Sequence, residues 1–254
     1  ETRGVAHPEV VAVAAIPEGL PAIMTITLAL GVQRMAARRA IVRHMPAVET
    51  LGAVTVICTD KTGTLTKNEM TVACLVIDGQ VIEVQGTGYA PQGGFSAQGR
   101  ELDLEAMPEL LEMGRVALLC NDARLWEAGG DWHLEGDPTE GALLTLGYKM
   151  GLDPHFEAEA LPRRDLIPFE SQHRFMATLH HDHEGHAFAF IKGAPEVVLL
   201  RCAHQRQAGE DLPLDLPVWQ GQMEALGQAG QRVLALACAP MSPGKMDLDF
   251  DDLE

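Results

Sequence analysis

The chain is short of basic residues and has no paired cysteines. Its 19 Lys and Arg stand against 36 Asp and Glu, a formal net charge of −17 over 254 residues. A field of that sign repels phosphate backbones and anionic membrane faces, which argues against nucleic acid as a partner of the soluble part. A nucleotide must then be held by a few local cations. Cys58, Cys74, Cys120, Cys202 and Cys238 are scattered, with no Cys-x-x-Cys pair among them. That leaves neither a zinc ligand set nor a disulfide framework, and fits reduced cytosolic thiols. Internal repeats and long low-complexity tracts are also missing, so neither a solenoid nor a disordered array is expected.

One long apolar run is present. Val10 to Leu30 carries a single charge, Glu18. At 1.5 Å per residue a helix of this length crosses a hydrocarbon layer of about 30 Å. A signal peptide is disfavoured, because the run follows acidic residues and lacks a basic start. Inside it stands Ile16-Pro17-Glu18-Gly19-Leu20-Pro21. Two prolines and a glycine break helix hydrogen bonds and free main-chain carbonyls, and an ionisable group at such depth points to a bound ion. Glu18 with the carbonyls of Val13, Ala14 and Ile16 makes half of an oxygen-rich site for a hard cation. The bland alternative is a kinked, buried helix of a soluble domain. Arg34, Arg38, Arg39 and Arg43 follow directly, and positive charge beside a span marks its cytoplasmic side. Residues after about 31 are therefore expected in the cytoplasm.

Next comes Ala53-Val54-Thr55-Val56-Ile57-Cys58, followed by Asp60-Lys61-Thr62-Gly63-Thr64-Leu65-Thr66. The first string predicts a buried strand of a parallel sheet, with Asp60 at its carboxyl end, where open α/β sheets bind ligands. A carboxylate there can attack phosphorus to give an acyl phosphate. Lys61 offsets charge on the incoming phosphate, and Thr62 offers groups to phosphate and Mg²⁺. A solvated turn uses the same residue types.

About 170 residues follow, one domain's worth, and 46% hydrophobic content suffices for a core. Strand patterns cover 71–77, 81–84, 165–169, 175–180, 187–191 and 232–238; helical ones cover 108–120, 138–150, 195–202 and 218–228. The segment 85–99 reads as a loop. Strands in neighbouring pairs with helices between them predict an α+β fold with an antiparallel sheet. His180, His181, His183 and His186 bracket a glycine turn, which reads as a solvated hairpin tip ahead of a metal site. The acidic end, 241–254, reads as a linker.

The seven residues Asp60 to Thr66 resemble the phosphorylation motif of P-type ATPases, ion pumps that phosphorylate themselves from ATP. Pro17-Glu18-Gly19-Leu20-Pro21 and the 45–52 stretch resemble the fourth membrane helix and stalk of the P2-type group, which includes the calcium and sodium/potassium pumps. Four further strings resemble that family's nucleotide-binding domain. They are Gly136-Asp137-Pro138-Thr139-Glu140-Gly141, Ile167-Pro168-Phe169 with Arg174, Ile191-Lys192-Gly193-Ala194-Pro195-Glu196, and Arg232-Val233-Leu234-Ala235-Leu236. Each has an ordinary structural reading too: a capped helix start, a core phenylalanine, a strand end before a proline-led helix, a strand with a charged first residue.

The resemblance implies that ATP binds through Glu140, Phe169, Arg174, Lys192, Gly193 and Arg232. It also implies that Asp60 takes the γ-phosphate with Mg²⁺ held by Asp60 and the Thr62 carbonyl. Residues 1–51 would form a membrane helix and stalk, with 31–51 as a stalk helix and 10–30 in the lipid bilayer of a plasma or inner membrane. Residues 52–68 would open a Rossmann-like phosphorylation domain, and 69–240 would be the nucleotide-binding domain. Ca²⁺ is the favoured transported cation, with Na⁺, K⁺ and Mn²⁺ open. The family's later Thr-Gly-Asp and Gly-Asp-Gly-Val-Asn-Asp strings and its Thr-Gly-Glu loop do not occur. The chain is thus expected to be a fragment, catalytically incomplete alone. Two alternatives stay open: a haloacid-dehalogenase-like phosphatase, whose general acid would stand where Thr62 does, and a non-catalytic ATP-binding module.

Overall fold

A computed structural model of the chain describes residues 19–61 and 63–253. The chain divides into two units, the boundary falling between Leu65 and Thr66. In the first, α1 (Leu20–Ala37) carries Pro21 in its opening turn and has no buried residue. It is long and apolar enough to cross a membrane by length and composition. The first half of the predicted 10–30 span lies outside the described residues, as do Val13, Ala14, Ile16 and Glu18.

The stalk expected as one helix over 31–51 is interrupted. Arg39 adopts a left-handed φ of 62°, and its amide bonds back to the Ala36 carbonyl, which ends α1. Pro46, without an N–H to satisfy, then opens α2 (Pro46–Gly52). The strand expected at 53–58 is also absent: the Ala53 and Val54 amides bond back to Thr50 and Leu51, no residue of the segment joins a ladder, and Val56 and Ile57 are exposed. A β-branched run becomes a strand only when a neighbour supplies ladder bonds, and no described segment does so here.

The second unit is α+β, with antiparallel sheets and helices packed on them. β1 (Cys74–Ile77), β2 (Gln80–Val84), β3 (Phe95–Ala97) and β4 (Arg100–Glu101) form one meander. Its first turn, Asp78-Gly79, has φ of 54° and 69°, the two-residue geometry that Asp-Gly favours in hairpins. β3 lies in the segment read as loop. α3 (Pro108–Leu119) packs against α4 (Pro138–Lys149), with the hairpin β5 (Arg124–Ala128) and β6 (Asp131–Glu135) between them in sequence, and α5 (Pro154–Ala160) follows.

The central sheet has the order β12-β9-β8-β7, built from β7 (Arg163–Ile167), β8 (Phe175–His181), β9 (Ala187–Gly193) and β12 (Ala235–Met241). A short α6 (Pro195–Val198), the hairpin of β10 (His204–Gln207) and β11 (Glu210–Pro213), and α7 (Leu216–Gln228) come between β9 and β12. Every residue of β8 is buried. Phe175, Ala177 and Leu179 face a cluster with Val198, Leu248 and Leu253, while Met176 packs with Val116, Leu119 and Cys120. Both faces are thus covered, which a central strand requires.

That double cover corrects two expectations. His180 and His181 lie on buried β8 rather than on a solvated tip; only the 182–186 turn is the tip. The 241–254 segment is not a free linker, because Leu248 and Leu253 complete the second face of the sheet.

Candidate functional site

Register brings four strand ends to one edge of the central sheet. Phe175 and Ala235 both pair with Gly193, Met176 and Leu236 both pair with Lys192, and Ile167 pairs with Ala177. The carboxyl ends of β7 and β9 and the starts of β8 and β12 therefore share this edge. Phe169 stands just beyond β7, Arg174 just before β8, Lys192 and Gly193 at the end of β9, and Arg232 three residues ahead of β12. Arg232 was expected inside its strand. β12 starts at Ala235 because its partner β9 ends at Gly193, leaving nothing for residues 232–234 to pair with.

Glu140 joins the edge from α4. Asp137 caps that helix by accepting the Thr139 amide at 2.8 Å, with Pro138 at the first position. This places Glu140 in the first turn, where a carboxylate is favoured by the helix dipole. Its Oε1 lies 2.5 Å from Lys192 Nζ, with only 18% and 9% of the two side chains exposed. Asn121, which no motif marks, donates from Nδ2 to the carbonyls of Ala117 and Glu140 and ties the start of α4 to the end of α3.

Arg174 has a φ of 56°. Its amide donates to Glu170 O and its carbonyl accepts from the Ala194 amide. The guanidinium pairs with Glu196 Oε1 at 2.5 Å, both side chains about half exposed. Glu196 closes the Lys-Gly-Ala-Pro-Glu string, so its partnership was within reach of the sequence. Phe169 is 57% exposed, which rules out the core reading of its ring. Gly193 has a packing reason: a Cβ there would sit 2.6 Å from the Arg174 carbonyl and 2.7 Å from Phe175 Cα. Arg232 is exposed.

Beneath the edge, Cys120 is fully buried, and burial pushes its thiol up to about 11, so it stays protonated. The arrangement offers an exposed aromatic face, a carboxylate acceptor, a partly desolvated ammonium and two guanidinium groups. These suit a planar heterocycle carrying a polyanion.

In the first unit, Asp60 and Lys61 are exposed. The Lys61 amide donates to Asp60 Oδ1 at 2.7 Å, and the Leu65 amide bonds to the Lys61 carbonyl, closing a turn through Gly63. Thr62 lies outside the described residues. At the hairpin tip, Asp182, Glu184 and His186 bring ligand atoms within 4.8 Å of one another. The Asp182 carboxylate already accepts the amides of Glu184 and His186 and meets His186 Nδ1 at 2.7 Å. The four histidines do not converge, since His180 and His181 are buried in the strand.

A family model described as P-type ATPase, cytoplasmic domain N, matches residues 109–254. A cation-transporting ATPase, pma1, of Synechocystis is 46% identical over 249 residues, 96% of this chain and 27% of that protein. A calcium-transporting ATPase of Bacillus subtilis is 43% identical over 190 residues, 75% of this chain and 21% of that protein. The human calcium-transporting ATPase type 2C member 1 is 43% identical over 236 residues, 90% of this chain and 25% of that protein. The chain spans about a quarter of the length of these relatives.

Proposed function

The chain belongs to the P-type ATPase family, and from that premise we propose that it supplies the nucleotide-binding lobe and the phosphorylated aspartate of an ATP-driven cation pump. ATP occupies the edge of the central sheet. Its base lies on the Phe169 ring, with the exocyclic amine donating to Glu140. Lys192, paired with Glu140, lies against the nucleotide, Arg174 and Arg232 face the phosphates, and Gly193 lets the strands close beneath them. An Asp60 carboxylate oxygen attacks the γ-phosphorus, the bond to the β,γ-bridging oxygen breaks, ADP leaves, and an acyl phosphate remains. Lys61 and the Thr62 hydroxyl orient the incoming phosphoryl group.

The exposed Asp60 carboxylate is the hard oxygen donor that Mg²⁺ takes, and with the Thr62 carbonyl it is the proposed ligand pair. When bound, that ion neutralises charge on the phosphates. Ca²⁺ is the proposed cargo, held by Glu18 and the carbonyls of Val13, Ala14 and Ile16 within the bilayer. Calcium-transporting relatives support that choice.

The observation that carries the reading is the convergence of Glu140, Phe169, Arg174, Lys192 and Arg232 on one sheet edge, from four separated stretches of sequence. Two measurements on the whole chain in detergent test it. ATP titration followed at the Phe169 and Lys192 amides is expected to saturate. Label from γ-phosphate of ATP, sub-stoichiometric because the chain is catalytically incomplete alone, is expected to be hydroxylamine-sensitive and lost in Asp60→Asn. Saturable binding without label reduces the chain to a binding module, free phosphate turnover favours the phosphatase, and no binding at all overturns the assignment of the edge.

A further inference from the structure

The acidic end of the chain reaches the same edge. Leu248 and Leu253 are buried against β8, and the Leu248 amide donates to Asp165 Oδ2 at 2.8 Å. Lys245 closes the segment on itself through an ion pair with Asp252 at 2.6 Å. Between these anchors Phe250, half exposed, meets the His173 ring edge-on at 5.2 Å and 77°, and the Phe175 ring at 5.8 Å and 71°. His173 in turn lies 4.6 Å from Phe175 between ring centroids. Its Nε2–H donates to the Pro168 carbonyl at 2.9 Å.

That last bond spans the base of the 168–174 loop, which carries Phe169 and Arg174. Arg174 sits in a left-handed conformation, φ 56°, which a non-glycine residue keeps only when its surroundings over-determine it. Its amide and carbonyl supply two restraints, to Glu170 and Ala194. The ion pair with Glu196 is a third, and the Phe250–His173 contact is a further one, reaching the loop from much further along the sequence.

We propose that Phe250 is a positioning residue for the nucleotide site. Through His173 it holds the loop that presents Phe169 and Arg174, so docking of the 245–253 segment and nucleotide binding strengthen one another. The proposal rests on the reading of this edge as the ATP site. Coupling of this kind is reciprocal: whatever ATP gains from a docked segment, the segment gains from bound ATP.

The test uses the whole chain in detergent with Phe250→Ala and the conservative Phe250→Tyr. ATP affinity is measured by calorimetry, and backbone amide shifts are read at 168–174, with the 207–210 turn as a remote control. Phe250→Ala is expected to raise the Kd for ATP roughly 2- to 10-fold, the range that an aromatic pair corresponds to. It is also expected to shift the 168–174 amides in the nucleotide-free protein while leaving 207–210 in place, and Phe250→Tyr is expected to restore both. Unchanged 168–174 amides, or an ATP affinity equal to that of the parent chain, overturns the positioning role. A parent chain that binds no ATP overturns the proposed function instead, and the amide shifts in the free protein still judge the brace.

Discussion

Lys192 and Glu140 meet at 2.5 Å with only 9% and 18% of their side chains in contact with solvent. Each is the other's compensation for leaving water, so removing one leaves a desolvated charge. Lys192→Met is expected to cost about 3 kcal/mol, and the double variant with Glu140→Leu to recover most of that loss. Urea denaturation of the two single variants and the double variant measures the coupling. Equal costs for the single and double changes would show that the pair contributes no net stability.

Phe169 provides the contrast. At 57% exposure its ring contributes little to the fold, so Phe169→Ala is expected to move stability by no more than about 0.5 kcal/mol. Loss of a stacking face should weaken ATP binding by about 1–3 kcal/mol, roughly 5- to 150-fold. Calorimetric titration beside a melting curve separates the two effects. A large drop in stability with intact binding would return this residue to the core.

What could be read from sequence followed the range of the interactions. The start of α4 was legible because Asp137, Pro138 and Glu140 are a local signal, and the Glu140 to Lys192 link was not, because it joins residues 52 apart. The hairpin of β5 and β6 was missed although Gly129-Gly130 flagged its turn; both glycines have positive φ. Residues 53–58 had the composition of a strand, but composition does not supply a partner. His180 and His181 looked solvated because their neighbours are polar, and tertiary contacts bury them, the Leu161 carbonyl and Phe190 ring at His180 and the Lys245 carbonyl at His181. Asn121 and His173 act on main-chain carbonyls, and no spacing rule points to such contacts.

His180 makes the fold sensitive to acid. It is 1% exposed; its Nδ1–H donates to the Leu161 carbonyl, and its Nε2 accepts from the Thr178 hydroxyl, both at 2.9 Å. Burial depresses its pKa from 6.5 to about 4. The unfolded chain therefore takes up a proton near 6.5 that the folded chain refuses until about 4. Its contribution is fully present above the unfolded value and is lost progressively as the pH falls between the two, by about 3 kcal/mol in all. His180→Gln is expected to flatten that slope relative to the parent chain, read as urea midpoints at several pH values. Parallel slopes would mean that the imidazole is already charged in the folded state.

Arg174 holds a left-handed backbone, φ 56°, that glycine adopts without penalty. Arg174→Gly relieves about 1 kcal/mol of strain. The Glu196 pair that it loses is 52% and 50% exposed and is worth about 0–1 kcal/mol. The glycine variant should therefore be about as stable as the parent chain, and Arg174→Ala, which loses the pair and keeps the strain, about 1 kcal/mol less stable. Both should bind ATP more weakly, by roughly tenfold for one lost charge-assisted contact. A glycine variant of full stability and reduced affinity would show that the strained conformation is retained for the ligand rather than for the fold. Full affinity in that variant would remove the Arg174 guanidinium from the site and leave Arg232 as its phosphate-facing cation.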